Sequence, residues 1–513
     1  MTKICYFFFL ISFLSQTAFS QQVQGTCGVS AYDAILIKQR MLENREEWKN
    51  KMLQRNGAPV YIPVSYWLTA TDNGAGRIQY KNVIDNLCCM NKLYSEFGIS
   101  FYLKGMFNVN NSYIYDDPSS TLGAAYINQI MLGNKNAVNI FVTNVANAGE
   151  PGVLAYYNPQ GDYIVCSDEK LNGSCSTLAH EMGHFFSLPH TFHGWEDTDY
   201  NAVTTMCTKT TPLTVYYRNT NILVEFVDRN KPGTVTGKNH CGQSADGFCD
   251  TPADYRLGFG WAGCNYTACA KDPDNVKLDP SEINLMGYFL DCLTEFTQEQ
   301  KDAITKDMLS SKRNYLRAVN YTPKFNITDE VVHKTPTMGS PAVGYDTIKF
   351  DWEDVPNADY YIFDLALNTG FNLQPISYIL KHSDTTLTTL KKNTTYFWRV
   401  TAYNTNSFCV VPKIISFRSP AWTVSNENIE DENISSYISQ PNENELYLNI
   451  DNLQAKFITL EILNSNGQLL KSKNLQLNIG ENKIQLDQQI AGLYFYRIIN
   501  ENRKMNTGKF IKL

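Results

Sequence analysis

The chain opens on an apolar run, Cys5 to Leu14 (CYFFFLISFL), set between Lys3 and the small-residue stretch Ala18-Phe19-Ser20. A run of only about ten apolar residues with those flanks predicts a secretory signal peptide over residues 1–20, because a membrane anchor needs about 18 or more. No later segment reaches that length. In residues 32–54 (YDAILIKQRMLENREEWKNKMLQ) apolar positions recur at helical spacing among many charges until Asn56-Gly57-Ala58-Pro59 breaks the pattern, so residues 21–57 read as a detachable helical pro-segment. From Tyr61 the pattern is strand-like (VYIPVSYWLTA). It then turns helical from about Arg77 to Phe97, with Ile84, Leu87, Asn91 and Tyr94 on one side, and strand-like again in ISFYLKG and AVNIFVTNV. A last helical run begins at Thr297. Alternating strands and helices predict an α/β (α+β) unit over residues 58–318.

Beyond a polar link the period changes. Residues 335–420 carry short alternating runs, TIKFDWEDV, ADYYIFDLAL and TYFWRVTAY, separated by turn residues at the spacing of a small all-β sandwich. Trp352, Val355, Ala358 and Tyr360, with Leu390, Tyr396, Trp398, Val400 and Ala402, resemble a fibronectin type III domain. Residues 421–435 are acidic and polar, a linker by composition. Residues 436–513 are again short strands, broken at Asn464-Ser465-Asn466-Gly467 and at Ala491-Gly492. With LYLNI, LEILNSNGQ, GLYFYRI and the terminal FIKL they are similar to the C-terminal sorting domain of the type IX secretion route. That resemblance implies export through the periplasm to the cell surface or the medium, with the secretion machinery as a partner. A carbohydrate-binding or stalk sandwich is the alternative. The expected fold class is therefore multidomain, an α/β domain followed by two small all-β sandwiches.

Composition narrows the function. The net charge of −7 supplies no positive field for a phosphate backbone, which disfavours nucleic-acid binding. Of thirteen cysteines, one lies in the signal peptide, eleven fall between Cys27 and Cys292, and Cys409 stands apart. Export favours disulfides within the cluster. Cys88 and Cys89 are neighbours in a helical pattern and point to different sides, so they do not bridge each other; buried free thiols are the alternative for this pair.

Four of the seven histidines fall between His180 and His193, in STLAHEMGHFFSLPHTFHG. On a helix, His180 and His184 project from one face a turn apart, the separation that two ligands of a tetrahedral zinc require. Glu181 lies beside them. His190 follows beyond the helix break forced by Pro189, and three neutral imidazoles leave a fourth coordination position open for water. The pentapeptide H-E-x-x-H alone is a weak signal, but a third histidine at this offset in a histidine-poor chain is not.

HEMGHFFSLPHTF resembles the metzincin zinc proteases, and its HTF continuation is similar to the pappalysin family. Asn284-Leu285-Met286-Gly287-Tyr288 resembles that family's Met-turn, with Met286 beneath the metal. Asp246 to Asp254 (DGFCDTPAD) resembles its D-T-P segment, and Cys292 with Phe296, Thr297 and Gln300 follows in family order. The resemblance covers about residues 58–318. It implies a secreted zinc endopeptidase acting on proteins or peptides, with Glu181 as general base and Tyr288 as stabiliser of the oxyanion. Cys27-Gly28 resembles the latency element of family pro-segments, released by a cut near Arg55; a disulfide role for Cys27 is the alternative. Setting Cys27 aside leaves ten cysteines in the catalytic region, an even number that can pair, with Cys264 to Cys292 as one guess. Relatives often bind calcium nearby, for which Asp246, Asp250 and Asp254 are candidates, though solvated loop acids look the same. One position departs from the family: Ser187 stands where glycine ends the helix. The rival reading is a cell-surface adhesion or binding protein that keeps the protease fold without activity.

Overall fold

The computed structural model describes residues 26–51, 59–147, 149–150, 152–171, 174–196, 211–256, 264–289, 292–317, 320–337, 347–420, 434–442, 445–452, 456–486, 492–500 and 505–512. The signal peptide, the cut near Arg55 and residues 421–433 of the linker lie outside them. Two compact units result: residues up to Thr328 with 356–362 and 401–411, and the remainder from Asp329 onward.

The first unit is built on a six-stranded mixed sheet. Its strands are β1 (Thr26–Cys27), β2 (Val60–Ala70), β3 (Ile99–Asn110), β4 (Val138–Thr143), β5 (Val153–Asn158) and β6 (Tyr163–Ser167), in the order β1-β5-β6-β4-β2-β3. Strands β3, β2, β4 and β6 run parallel, whereas β5 is antiparallel to β6. Strand β2 is buried from Ile62 to Ala70, as a strand covered on both faces must be, which explains its nearly continuous apolar run. Trp67, Phe141, Tyr163 and Val165 face helices α3 (Ser112–Asp116) and α4 (Thr121–Met131) through Ile114, Ile127 and Met131. Helices α2 (Tyr80–Ser95) and α5 (Ser176–Phe185) pack together and against the sheet.

The N-terminal helix α1 (Ala31–Glu47) starts at Ser30, whose hydroxyl accepts from the Asp33 amide at 3.1 Å. It lies against α6 (Gln298–Leu309), where the Trp48 indole donates to the Lys306 carbonyl at 3.1 Å. Helix α6 begins with a capping box formed by Thr297 and Gln300.

Residues 356–362 and 401–411 belong by sequence to the first sandwich but pack with the N-terminal unit, and the reason is covalent as well as polar. Cys88 is disulfide-bonded to Cys409, the Leu103 amide donates to the Thr405 carbonyl at 2.7 Å, and the Tyr321 hydroxyl donates to Asn406 at 2.9 Å. This corrects the expected pairing. The cysteines of residues 58–318 do not all pair among themselves: Cys88 reaches out to Cys409 and Cys166 remains a buried thiol. Cys89 bonds Cys175, Cys241 bonds Cys249, and Cys264 bonds Cys292, the pair guessed from sequence.

The two C-terminal β regions are sandwiches of seven strands each. The first sets β7 (His333–Thr335), β8 (Ile348–Trp352) and β11 (Asp384–Leu387) in one sheet. The other sheet holds β9 (Tyr360–Ala366), β10 (Ile376–Leu380), β12 (Thr395–Tyr403) and β13 (Ile415–Arg418). Its core is aromatic: Phe350 lies 4.8 Å from Phe363 and 5.2 Å from Trp398, whose indole donates to the Pro336 carbonyl at 3.1 Å. The second sandwich, from Ile434 to Lys512, has sheets of three and four strands closed over Leu448, Ile450, Ile458, Leu460 and Ile498.

Candidate metal centre

Every residue of α5 from Ser176 to Phe185 except Thr177 is buried, including His180, Glu181 and His184. Burying so many polar side chains is costly unless each has a partner. The His180 Nδ1 donates to the Leu285 carbonyl at 2.6 Å and the His184 Nδ1 to the Leu188 carbonyl at 2.8 Å. Those bonds fix the tautomers and turn both Nε2 lone pairs inward. The His184 Nε2 then lies 3.1 Å from the Nε2 of His180 and 3.1 Å from that of His190. Three lone pairs cannot hydrogen-bond one another, so the arrangement calls for a cation. Adjacent corners of a tetrahedron with metal–nitrogen bonds of ~2.0–2.1 Å are about 3.3 Å apart, so the donor set fits zinc.

Burial and the facing rings keep the imidazoles neutral, the form that binds metal. His180 is lowered to about 3 by desolvation and by His190, His184 falls well below the usual range, and His190 is lowered as well. The fourth donor is the Cys27 sulfur: the four ligand atoms lie within 4.8 Å of one another, and this is the one such grouping among the described residues. The strand that carries Cys27 pairs parallel with β5, Thr26 opposite Val153 and Cys27 opposite Ala155, and the Gly28 amide donates to the Ala155 carbonyl at 2.7 Å. Gly28 is required there, since a Cβ would sit 2.5 Å from Val153 Cγ1.

Glu181 and Tyr288 flank this cluster. The Glu181 carboxyl is buried and hydrogen-bonded to Cys27 and to the Tyr157 backbone, and burial pushes it up to about 8. The Tyr288 hydroxyl donates to the Cys27 carbonyl at 3.2 Å, and its ring lies 5.1 Å from that of His190.

Met286 is fully buried beneath the helix, and its thioether explains a residue that sequence reading passed over. A Cβ on Gly183 would stand 2.4 Å from Met286 Sδ, so the glycine of HEMGH makes room for the Met286 side chain. The turn is tied on both sides: the Met286 amide donates to Asn284 Oδ1 at 2.9 Å, and its carbonyl accepts from the Thr191 amide at 3.2 Å. Thr191, next to His190, also donates to Asp254 Oδ2 at 2.6 Å.

The three aspartates proposed for calcium are not gathered into one site; each has other work. Asp246 is buried, accepts from the Phe248 amide at 2.9 Å and faces Lys38 of α1. Asp250 accepts from Thr297 at 2.8 Å and from the Glu299 amide at 2.7 Å, which anchors the start of α6, and Asp254 holds Thr191. The D-T-P segment thus supports the turn after His190 and the helix behind it.

Ser187 has φ 68°, the left-handed conformation that the glycine rule leads one to expect, at a cost of about 1–2 kcal/mol for an L-residue. Its hydroxyl donates to Asp307, buried on α6. Neither Asp307 nor its partner Arg313 was legible as part of the site, because nothing in their local sequence points to residue 187. The side chain of Glu196 was passed over too; it accepts from the Gly194 amide at 2.7 Å and faces the Nδ1 of His193 at 3.2 Å and of His190 at 3.5 Å.

Residues 440–512 match the family described as the secretion system C-terminal sorting domain. The last sandwich is therefore a type IX sorting domain, and the chain is exported to the cell surface or beyond. Among the described residues no helix is long and apolar enough to cross a membrane. No curated protein matches the chain. Among solved structures, the chicken CNTN1 FN1-FN3 domains align at 10% identity and a TM-score of 0.19, covering 37% of this chain and 67% of theirs. A two-domain fibronectin type III segment of chicken tenascin aligns at 14% identity and a TM-score of 0.15, covering 36% of this chain and 99% of its own.

Proposed function

We propose that the N-terminal unit is a metzincin-type zinc endopeptidase of the pappalysin kind, exported in a latent form, and that the sandwich of residues 335–420 is a fibronectin type III-like module. The observation that carries this reading is the convergence of three buried Nε2 lone pairs and one sulfur on a single point. When bound there, zinc would supply a Lewis acid that lowers the pKa of a coordinated water toward about 7. His180, His184 and His190 would hold the ion, the first two oriented by the Leu285 and Leu188 carbonyls and the third facing Glu196. Glu181 lies over the open side, takes the water's proton and returns it to the departing amine. Tyr288 donates to the developing oxyanion, as its hydroxyl now donates to the Cys27 carbonyl. The free edge of β5 offers backbone groups to an extended peptide, a role that β1 fills while the N-terminal segment remains attached.

In the precursor the Cys27 sulfur takes the position that water needs. The uncut chain should therefore be silent, and Cys27→Ala, which leaves only the backbone pairing of β1 with β5 to keep peptide out, should raise peptidase activity of the uncut chain above that of the parent; a Cys27→Ala precursor as silent as the parent removes the latency role of the thiol. The test of the catalytic reading is Glu181→Gln. The processed variant should retain one zinc by elemental analysis and lose at least about a hundredfold in peptide turnover. Undiminished cleavage by that variant overturns the assignment.

A further inference from the structure

The third histidine reaches the cluster by way of a backbone conformation that L-residues rarely hold unaided. Ser187 lies midway between His184 and His190, and the turn is closed by the Leu188 amide donating to the Gly183 carbonyl at 2.9 Å. Its hydroxyl donates to Asp307 Oδ2. The same oxygen accepts from Asn44 Nδ2 at 2.7 Å, and Asp307 Oδ1 accepts from Arg313 Nε at 2.8 Å. Arg313 in turn donates to the Phe185 carbonyl at the end of α5 and to Asp162 Oδ1 at 2.9 Å, and its guanidinium lies 3.9 Å from the centre of the Phe185 ring. Ser187, Asp307 and Arg313 are all buried, so these bonds have no competition from water.

We infer that Asp307, steadied by Arg313, is a positioning residue for the third metal ligand: its bond to the Ser187 hydroxyl holds the left-handed turn that glycine would adopt freely, and so aims His190. The inference rests on the zinc reading above. Where the turn is not held, His190 occupies its binding position for only a fraction of the time, and apparent metal affinity falls by that fraction. Asn44 shares the same carboxylate oxygen, so the N-terminal helix adds to this hold in the uncut chain.

The test measures zinc release from the full-length protein against rising dipicolinate, with the cobalt-substituted visible spectrum as a report on ligand geometry. Asp307→Ala and Ser187→Ala should each release zinc at roughly tenfold lower chelator than the parent, because alanine keeps the Cβ penalty without the hydroxyl. Adding Ser187→Gly to Asp307→Ala should recover most of that loss, since glycine needs no hold. Equal release from the single and double variants, or parent-like retention by Ser187→Ala, overturns the inference. Melting of the metal-free proteins reports folding. If Asp307→Ala fails to fold, the comparison of Ser187→Ala with Ser187→Gly decides alone, and only looser zinc in the alanine variant supports the role of Asp307. A parent that holds no zinc overturns the zinc reading and this inference together; a zinc-bearing parent with indistinguishable Ser187 variants overturns the inference alone.

Discussion

Two of the three histidines and the third are delivered by different means. His180 and His184 are set by the pitch of α5, so their spacing follows from the sequence once the segment is helical. His190 comes from an irregular turn and depends on bonds to distant residues: Thr191 to Met286 and Asp254, and Ser187 to Asp307. A helix gives ligand geometry through local repetition. A return turn must borrow its rigidity from elsewhere in the chain.

That contrast can be broken most directly by removing ligands one at a time. His184→Ala and His190→Ala should each weaken zinc retention by at least about a hundredfold, because each deletes one of few strong ligands. Retained stoichiometric zinc in His190→Ala would show that the turn is dispensable. Next comes Asn284→Ala, which removes the acceptor for the Met286 amide and a buried partner of Gln300. It should destabilise the fold by about 1–3 kcal/mol and, through the Leu285 carbonyl behind His180, lower zinc affinity by roughly 10–100-fold. Such a loss would mean that the helical ligands lean on distant support as well. The smallest effect is expected from Gly183→Ala. The new methyl must displace the buried Met286 side chain, at about 1–3 kcal/mol by thermal melting, partly offset by better helix propensity.

The same division decided what was legible in the sequence. Strand β2, helix α2 and the spacing of His180, His184 and His190 carry their own periodicity, and a reader of the chain finds them. The Cys88–Cys409 bond spans 321 residues, and no local pattern announces it. Asp246, Asp250 and Asp254 share a short loop and so look like one ion site, yet their side chains point to Phe248, Thr297 and Thr191 respectively. Backbone direction, which spacing in a loop does not fix, separates them. Ser187 stands where the pattern has glycine, and the hydroxyl that makes it a departure is also what Asp307 grips.

The Cys88–Cys409 bridge also governs what a protease can release from this molecule. A single nick anywhere between Arg317 and Phe408 leaves both pieces covalently joined. On a gel they should run as one band without reductant and part only when thiol is added, so shedding of the export address requires a cut beyond Cys409.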